Sequence, residues 1–352
     1  MKNFNKEGRK KLWQKYSKDI PDNDYFLTFS CILSSFYPAS EVMVTKVYDL
    51  LDVNWKMTND SNSGWSCCTG IGYHGDIMPL ESTLLTVARL WSLAQNASAG
   101  VITPTCVTSF GIHCECKEFL EHDPELRKRI ALLLEQTCGR KLYIPEHIVH
   151  TSDVYYRHRE QIKKHFKHSL TEIKTGRPLK VVDHIGCHYS KLFPNRHAHG
   201  GSEYCEVLAG MVRSWGAENI DYPERRHCCG MGFRQCMIPP NRGATLSNVY
   251  KKIKSMAPFE PDLIVTNCPG CQVFLDKEQW AIYESTGEEY FIPVLTYQEL
   301  AGLLLGWDPY DVVGIDSHTV PVEPLLDKIG IAYEKEKSMH QDNIKQIAGA
   351  DI

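Results

Sequence analysis

The chain carries one cysteine pattern twice. In each copy a lone cysteine precedes an adjacent cysteine pair, and a further cysteine follows: Cys31, Cys67-Cys68 and Cys106, then Cys187, Cys228-Cys229 and Cys268-x-x-Cys271. Corresponding cysteines lie 156, 161 and 162 residues apart, so the two copies keep nearly the same spacing. Iron–sulfur clusters need several thiolates from separate loops, because each iron takes a sulfur donor. The repeat therefore predicts two sites for soft metal or iron–sulfur clusters.

Metal explains the 14 cysteines of this chain better than disulfide bonds do. A cytosolic chain of 352 residues would not keep disulfides. An adjacent cysteine pair forms only a strained disulfide, whereas neighbouring thiolates can bind two irons of one cluster. Zinc is satisfied by four tetrahedral ligands, so five recurring positions argue against a structural zinc protein.

Glycines follow both cysteine pairs, in Cys67-Cys68-Thr-Gly-Ile-Gly and Cys228-Cys229-Gly-Met-Gly. Glycine lets the backbone approach an inorganic core closely, and its amide can donate to cluster sulfur. We therefore expect the cluster to be contacted by Gly70, Gly72, Gly230 and Gly232. Phosphate binding is disfavoured, since no Lys-Ser/Thr follows and the G-x-G-x-x-G spacing is absent.

Short apolar runs place the cysteines at strand ends. Four such runs, at 25–30, 99–104, 179–185 and 261–266, end just before Cys31, Cys106, Cys187 and Cys268. Buried parallel strands deliver residues to a sheet edge in this way. Apolar residues at helical spacing predict a helix over 80–96.

The alternation of strands and helices predicts an α/β fold with two similar modules, each a small, largely parallel sheet flanked by helices. The predicted divisions are a basic leader arm at 1–24, an N-terminal module at 25–120, a helical linker at 121–178, a C-terminal module at 179–320 and a peripheral tail at 321–352.

Composition excludes several function classes. The formal net charge of −4 argues against a nucleic-acid binder, whose surface would be strongly basic. No stretch approaches the roughly 18 uncharged apolar residues of a membrane span, and the N-terminal segment lacks the apolar core of a signal peptide. We therefore expect a soluble, cytoplasmic protein without a membrane span.

Three segments together resemble a known family. They are Gly216-Ala-Glu-Asn-Ile-Asp-Tyr-Pro-Glu-Arg-Arg-His-Cys228-Cys229-Gly-Met-Gly, Asp262-Leu-Ile-Val-Thr-Asn-Cys268-Pro-Gly-Cys271 and Ile292-Pro-Val-Leu-Thr-Tyr. With the tandem cysteine modules they resemble the B subunit of heterodisulfide reductase, with its paired CCG domains, over residues from about 25 to about 320. Similar B-type subunits occur in the heterodisulfide-reductase-like complexes of sulfur-oxidising organisms.

The resemblance implies two noncubane [4Fe-4S] clusters that cleave or form a disulfide by one-electron steps. It also implies a small or protein-bound thiol or disulfide substrate, together with two partners: a flavin-containing A subunit and a ferredoxin-like C subunit. All five ligand positions are matched in the second copy by Cys187, Cys228, Cys229, Cys268 and Cys271. The first copy matches four, with Cys31, Cys67, Cys68 and Cys106.

The fifth position of the first copy is Ser109, in Cys106-Val-Thr-Ser109. Serine oxygen is a harder ligand and is normally protonated. This cluster could therefore be held by four thiolates, bound by Ser109, completed by Cys114 or Cys116, or be of a different type.

Histidines near the cysteine loops are candidates for proton transfer, above all His188, which follows Cys187. An imidazole with a pKa near neutrality could protonate a leaving thiolate. His184, His74 and His227 also lie near cysteines, and the alternative role for each is a hydrogen bond to the cluster or backbone. The function classes left open are a sulfur-acting enzyme, an electron-transfer subunit without a substrate site and a zinc-stabilised structural protein.

Overall fold

A computed structural model describes residues 21, 24–57, 68–191, 205–231 and 242–338, except the side chains of Arg242 and Glu336. The predicted site residues Cys67 and Gly232 lie outside the described residues, as do most of the predicted leader and the end of the predicted tail.

The first sheet has four parallel strands in the order β2-β1-β3-β4. They are β1 (Tyr25–Thr28), β2 (Trp55–Lys56), β3 (Val101–Pro104) and β4 (His147–Ile148). The helices connected with it are α1 (Cys31–Phe36), α2 (Ala39–Leu50), α3 (Gly70–His74), α4 (Leu80–Asn96), α5 (Val107–His122), α6 (Pro124–Cys138), α7 (Thr151–Arg157) and α8 (Arg159–Lys163). β1 and β3 are fully buried, which explains why they appear in the sequence as short, mostly apolar runs.

The second sheet repeats this plan in the order β6-β5-β7-β8, again all parallel. Its strands are β5 (Lys180–His184), β6 (Glu218–Ile220), β7 (Leu263–Thr266) and β8 (Val294–Thr296). Its helices are α9 (Cys187–Ser190), α10 (Val207–Ser214), α11 (Arg242–Met256), α12 (Pro269–Thr286), α13 (Tyr297–Leu304) and α14 (Glu323–Ile329). The prediction of an α/β fold with two similar modules is confirmed.

Two segments differ from the predicted divisions of the chain. The first sheet extends to Ile148, because β4 pairs with β3 inside the segment predicted as a helical linker. α14 buries Leu325, Leu326 and Ile329, so the segment predicted as a peripheral tail contributes to the core. A two-residue strand and a seven-residue helix are too short to show a hydrophobic period in the sequence.

Both modules present their cysteines at the carboxyl edge of the sheet. β1 leads into Cys31 and β3 into Cys106, while β5 leads into Cys187 and β7 into Cys268. Parallel strands end at a common edge, and loops from neighbouring strands meet there. The two edges face each other, since α9 of the second module packs against α5 of the first.

Candidate functional site

Five cysteines of the second module converge on one point, and we call them the C-terminal nest: Cys187, Cys228, Cys229, Cys268 and Cys271. Cys187 opens α9 directly after β5, and the adjacent pair lies in the loop after β6. Cys268 is the N-cap residue of α12, and Cys271 lies in the first turn of that helix. Three separate loops thus supply thiols to one sheet edge.

Sulfur atoms in this nest are in direct contact. The Sγ atoms of Cys229 and Cys271 are 3.2 Å apart, and those of Cys187 and Cys228 are 3.9 Å apart. The amide of Cys271 donates to the Cys268 Sγ at 3.4 Å. None of these five cysteines forms a disulfide bond.

Packing the thiols together changes their acidity. Hydrogen bonds from Cys187 and Cys229 lower the pKa of Cys228 to about 2, and the Gly230 amide, 3.3 Å from the Cys228 Sγ, lowers it further. Hydrogen bonds to neighbouring sulfur atoms, together with burial, raise the pKa values of Cys187, Cys229 and Cys271. Each thiolate would repel the next, so the group cannot ionise fully without a cationic centre.

The C-terminal nest therefore fits an iron–sulfur cluster. Five soft sulfur donors at one buried point are the ligand set that such a cluster requires, and a bound cation removes the repulsion between thiolates. Tetrahedral zinc would leave one of these donors unused.

The loop carrying the cysteine pair is held by buried polar contacts. Lys252 is completely buried in α11, and its Nζ donates to the carbonyls of Glu224 and Arg225 at 2.6 and 3.1 Å. Arg225 also forms a salt bridge of 3.0 Å with the buried Asp183 on β5. Gly230 has a φ of +93°, a conformation that side chains rarely adopt, directly after the pair.

Neither Lys252 nor the Asp183–Arg225 pair is among the site residues predicted from the sequence. Lys252 lies between Val249, Ile253 and Met256, which are all buried. A lysine on the apolar face of a helix was the available signal, since lysine is almost never fully buried without partners.

The first module places its candidate ligands in the same way. Cys106 is the N-cap residue of α5, with φ −115° and ψ 129°, close to the −118° and 117° of Cys268. Ser109 occupies the third position of α5, as Cys271 does in α12, and it is 5% exposed. Cys31 opens α1 and is exposed, while Cys68 is half-buried.

Contacts link these residues into an N-terminal nest, defined as Cys31, Cys68, Cys106 and Ser109 with the undescribed Cys67. Burial raises the pKa of Cys106 to about 11, with repulsion from Cys268 adding to it and hydrogen bonds from Ser109, Thr108 and Ser30 opposing it. Cys114 and Cys116, the alternative ligands, are buried further along α5 and pack in the core. Whether iron is held by Ser109 stays a prediction.

The glycines near the cysteine pairs lie in tight surroundings. The amide of Gly70 donates to the Cys68 Sγ at 3.4 Å, as Gly230 does to Cys228. Thr69 takes a left-handed φ of 59° directly after its cysteine pair, the position that Gly230 occupies in the second module. Gly72 lies one turn into α3, against Met78. Contact of Gly70, Gly72 and Gly230 with a cluster stays a prediction.

A cleft lies between the modules beside the C-terminal nest. Its apolar walls are formed by Ile32, Ile71 and Val107 from the first module and by Met231 from the second. The cysteines of the C-terminal nest form its floor. The modules touch at Gly186, where an added Cβ would lie 2.6 Å from the Val107 Cγ2 and 2.8 Å from the Cys268 Cβ.

His188 projects into this cleft. Its Nδ1 lies 3.0 Å from the Thr108 Oγ1, and its ring centroid is 4.4 Å from that of His74. Burial lowers the pKa of His188 to about 4, with His74 lowering it and the Cys228 charge raising it. The pKa near neutrality that the sequence suggested is wrong for the protein alone, because the ring is desolvated. The catalytic role of His188 stays a prediction.

Comparison with known proteins agrees with this geometry. Residues 181–276 match the family model CCG, described as a cysteine-rich domain. The B subunit of the ferredoxin:CoB-CoM heterodisulfide reductase of Methanosarcina acetivorans is 28% identical over 317 residues, which is 89% of this chain and 98% of that protein. The chain is a homologue of the heterodisulfide reductase B subunit. The resemblance proposed from the cysteine modules is thereby confirmed.

Other relatives extend the comparison of this B subunit homologue. A protein of Archaeoglobus profundus, named as similar to the heterodisulfide reductase B subunit, is 25% identical, covering 83% of this chain and 93% of that protein. The 8-methylmenaquinol:fumarate reductase membrane anchor subunit of Wolinella succinogenes is 26% identical, covering 84% of this chain and 96% of that protein. Within the described residues of our chain, no helix has the length and apolarity needed to cross a bilayer.

One solved structure shares the fold of the B subunit homologue. It is a hypothetical protein from Helicobacter pylori, with a TM-score of 0.61 at 11% identity. The match covers 89% of this chain and 57% of that protein. At this identity the likeness concerns the fold alone.

Proposed function

We propose that this B subunit homologue is the iron–sulfur subunit of a heterodisulfide-reductase-like complex that reduces or oxidises a disulfide, thiol or persulfide by one-electron steps. The observation that carries the proposal is the C-terminal nest, five contacting cysteines at the floor of an inter-module cleft. The relatives' names, which refer to the heterodisulfide reductase B subunit, support the same activity.

The proposed cofactors are two noncubane [4Fe-4S] clusters, one for each nest. When bound, a cluster supplies one-electron chemistry and an iron to which substrate sulfur can bind. The C-terminal nest would hold one cluster with five thiolates. The N-terminal nest would hold the other with Cys31, Cys67, Cys68 and Cys106, and with Ser109 at the fifth position.

The chain's own side chains prepare the cleft for a sulfur substrate. Ile32, Ile71 and Met231 exclude water from the space over the C-terminal nest. Thr108 holds the ring of His188 through a 3.0 Å contact to Nδ1, which leaves Nε2 for the cleft. Negative charge in the nest raises the pKa of His188, as the Cys228 thiolate already does. His188 can thereby hold a proton for a departing thiolate.

The proposed partners are those of the relatives' type of complex: a ferredoxin-like C subunit and a flavin-containing A subunit. The relatives' names, which give them one letter of a lettered set of subunits, support a multi-subunit assembly. A cluster-bearing protein of this type needs an external electron donor or acceptor, because no described residue can store the second electron of a disulfide reaction.

Iron and sulfide analysis of the anaerobically purified chain tests the proposal. We expect about eight iron atoms per chain and a visible absorbance, because two four-iron clusters are bound. Cys229→Ser should remove about half of the iron and lower stability, since ligation energy contributes to folding. Cys116→Ala is the matched control, because Cys116 is equally buried but packs in the core.

A colourless, iron-free chain, or full iron in the Cys229→Ser variant, would contradict the proposed ligands. Adding thiols and disulfides to the intact protein should change the paramagnetic signal of the reduced clusters. Clusters that ignore every sulfur ligand would assign the chain to electron transfer alone.

A further inference from the structure

His184 is the last residue of β5 and lies against the C-terminal nest. It is 2% exposed, and neither ring nitrogen has a hydrogen-bond partner among the described residues. One of its ring nitrogens and the Sγ atoms of Cys229 and Cys271 all lie within 4.8 Å of one another. A buried imidazole without a partner is costly, so this ring calls for a partner at the nest.

The charges around this ring keep it neutral. Burial lowers the pKa of His184 well below its usual value, and the ammonium of Lys252 lowers it further. Lys191 and His227 act in the same direction, and the Cys228 thiolate opposes them. A neutral imidazole has one N–H donor and one bare nitrogen.

Two roles toward a bound cluster are chemically open, and the surroundings favour one of them. If the ring bound iron through one nitrogen, the N–H on the other would have no acceptor, whereas metal-bound histidines almost always donate that N–H to an acceptor. If the ring donated its N–H to sulfur, only a bare lone pair would stay unsatisfied. Buried lone pairs lack partners more often than buried N–H groups do.

The first module has no such ring at the equivalent place. β1 ends at Thr28 as β5 ends at His184, each three residues before its lone cysteine. The equivalence extends to the neighbouring strand, since Thr105 donates to the Thr28 carbonyl at 3.3 Å and Thr266 to the His184 carbonyl at 2.9 Å. The imidazole therefore distinguishes the C-terminal nest from its counterpart.

We propose that His184 donates its N–H to a sulfur atom of the cluster in the C-terminal nest and thereby raises the reduction potential of that cluster. A hydrogen bond to sulfur stabilises the more negative, reduced state, so its loss shifts the potential downward. His184 is a positioning and tuning residue, and the inference rests on the proposed function.

The test is potentiometric titration of the reduced cluster's paramagnetic signal in His184→Thr and His184→Gln. The threonine variant copies the first module, and we expect it to keep its iron but to show a more negative potential. Glutamine keeps an N–H donor and should recover part of the shift. Thr28→Val, at the equivalent place in the first module, should leave the potential of the C-terminal cluster unchanged.

Pulsed paramagnetic resonance on protein with ¹⁵N-labelled histidine gives a second measurement that needs no substitution at the site. A weak nitrogen coupling that is absent from His184→Gln supports the hydrogen bond. A strong coupling of directly bound nitrogen, or an unchanged potential in an iron-replete His184→Thr variant, overturns it. If the wild-type chain binds no cluster, the proposed function itself fails, which is a different outcome.

Discussion

At the scale of single residues, the most telling difference between the two modules is Ser109. The two helices that begin at ligand cysteines have nearly the same N-cap geometry, and both supply amides to the sulfur of that cysteine. The third helical residue is Cys271 in one and Ser109 in the other. A single oxygen-for-sulfur exchange thus separates two otherwise similar ligand sets.

Ser109→Cys should restore a fifth thiol to the N-terminal nest. We expect iron content to stay equal or rise, and the paramagnetic signal of the N-terminal cluster to change, because sulfur is a softer ligand than oxygen. Ser92→Cys, a buried site on α4 away from the cysteines, is the control. An unchanged signal in Ser109→Cys would mean that residue 109 does not lie beside iron.

The cysteine repeat made most of the candidate ligands predictable, since five positions of the second copy meet in the structure. The loop supports could not be predicted in the same way. Lys252 acts through carbonyls of residues 224 and 225, and backbone acceptors carry no sequence signal. The isolation of His184 was equally hidden, because it depends on what surrounds the ring after folding.

At the scale of elements, the pairing of α4 with α5 depends on a buried histidine. The Trp91 Nε1 donates to the His113 Nδ1 at 2.8 Å, and both side chains are fully buried. Burial lowers the pKa of His113 to about 3 from its usual 6.5. The neutral ring is therefore part of the helix contact.

His113 should make stability depend on pH. Its folded-state pKa is depressed, so the unfolded chain binds more protons below the usual histidine pKa. The stabilisation is full above about pH 6.5 and is lost as pH falls toward 3, by about 1.4 kcal/mol per pH unit. His113→Gln keeps an acceptor for Trp91, and we expect a flatter acid limb in urea unfolding measured at several pH values. His122→Gln, exposed on the same helix, should keep the wild-type slope.

Elements with a clear hydrophobic period were predictable from the sequence, and short ones were not. The helix predicted over 80–96 is α4 with those bounds, because its apolar face is continuous over 17 residues. β4 has two residues and gains its place only by pairing with β3. Its membership of the first sheet is decided by tertiary contacts.

At the scale of the whole molecule, buried carboxylates join the two modules. Asp276 on α12 accepts from the Tyr37 hydroxyl at 2.9 Å and from the amides of Thr319 and Val320 at 2.7 and 2.8 Å. Glu299 accepts from the Ser40 hydroxyl of the first module at 2.7 Å. The members of these two inter-module pairs lie 239 and 259 residues apart and leave no local pattern, so this interface could not be predicted.

Tyr37→Phe should weaken this junction. It removes one donor to a buried carboxylate, and we expect the free energy of unfolding to fall by about 1.5–3 kcal/mol. Tyr310→Phe is the matched control, because its hydroxyl also donates to a carboxylate, Glu323, but lies within one module. Urea unfolding of both variants makes the comparison. A smaller loss for Tyr37→Phe than for Tyr310→Phe would show that the junction does not depend on Asp276.

The close approach at Gly186 has a consequence for electrons. This glycine touches the residue after Cys106 on one side and Cys268 on the other, so the two nests share a boundary at a residue that has no side chain of its own. If both nests are filled as proposed, tunnelling between the centres needs no relay. Two unpaired spins placed there would interact, and the pair would exchange electrons as one unit.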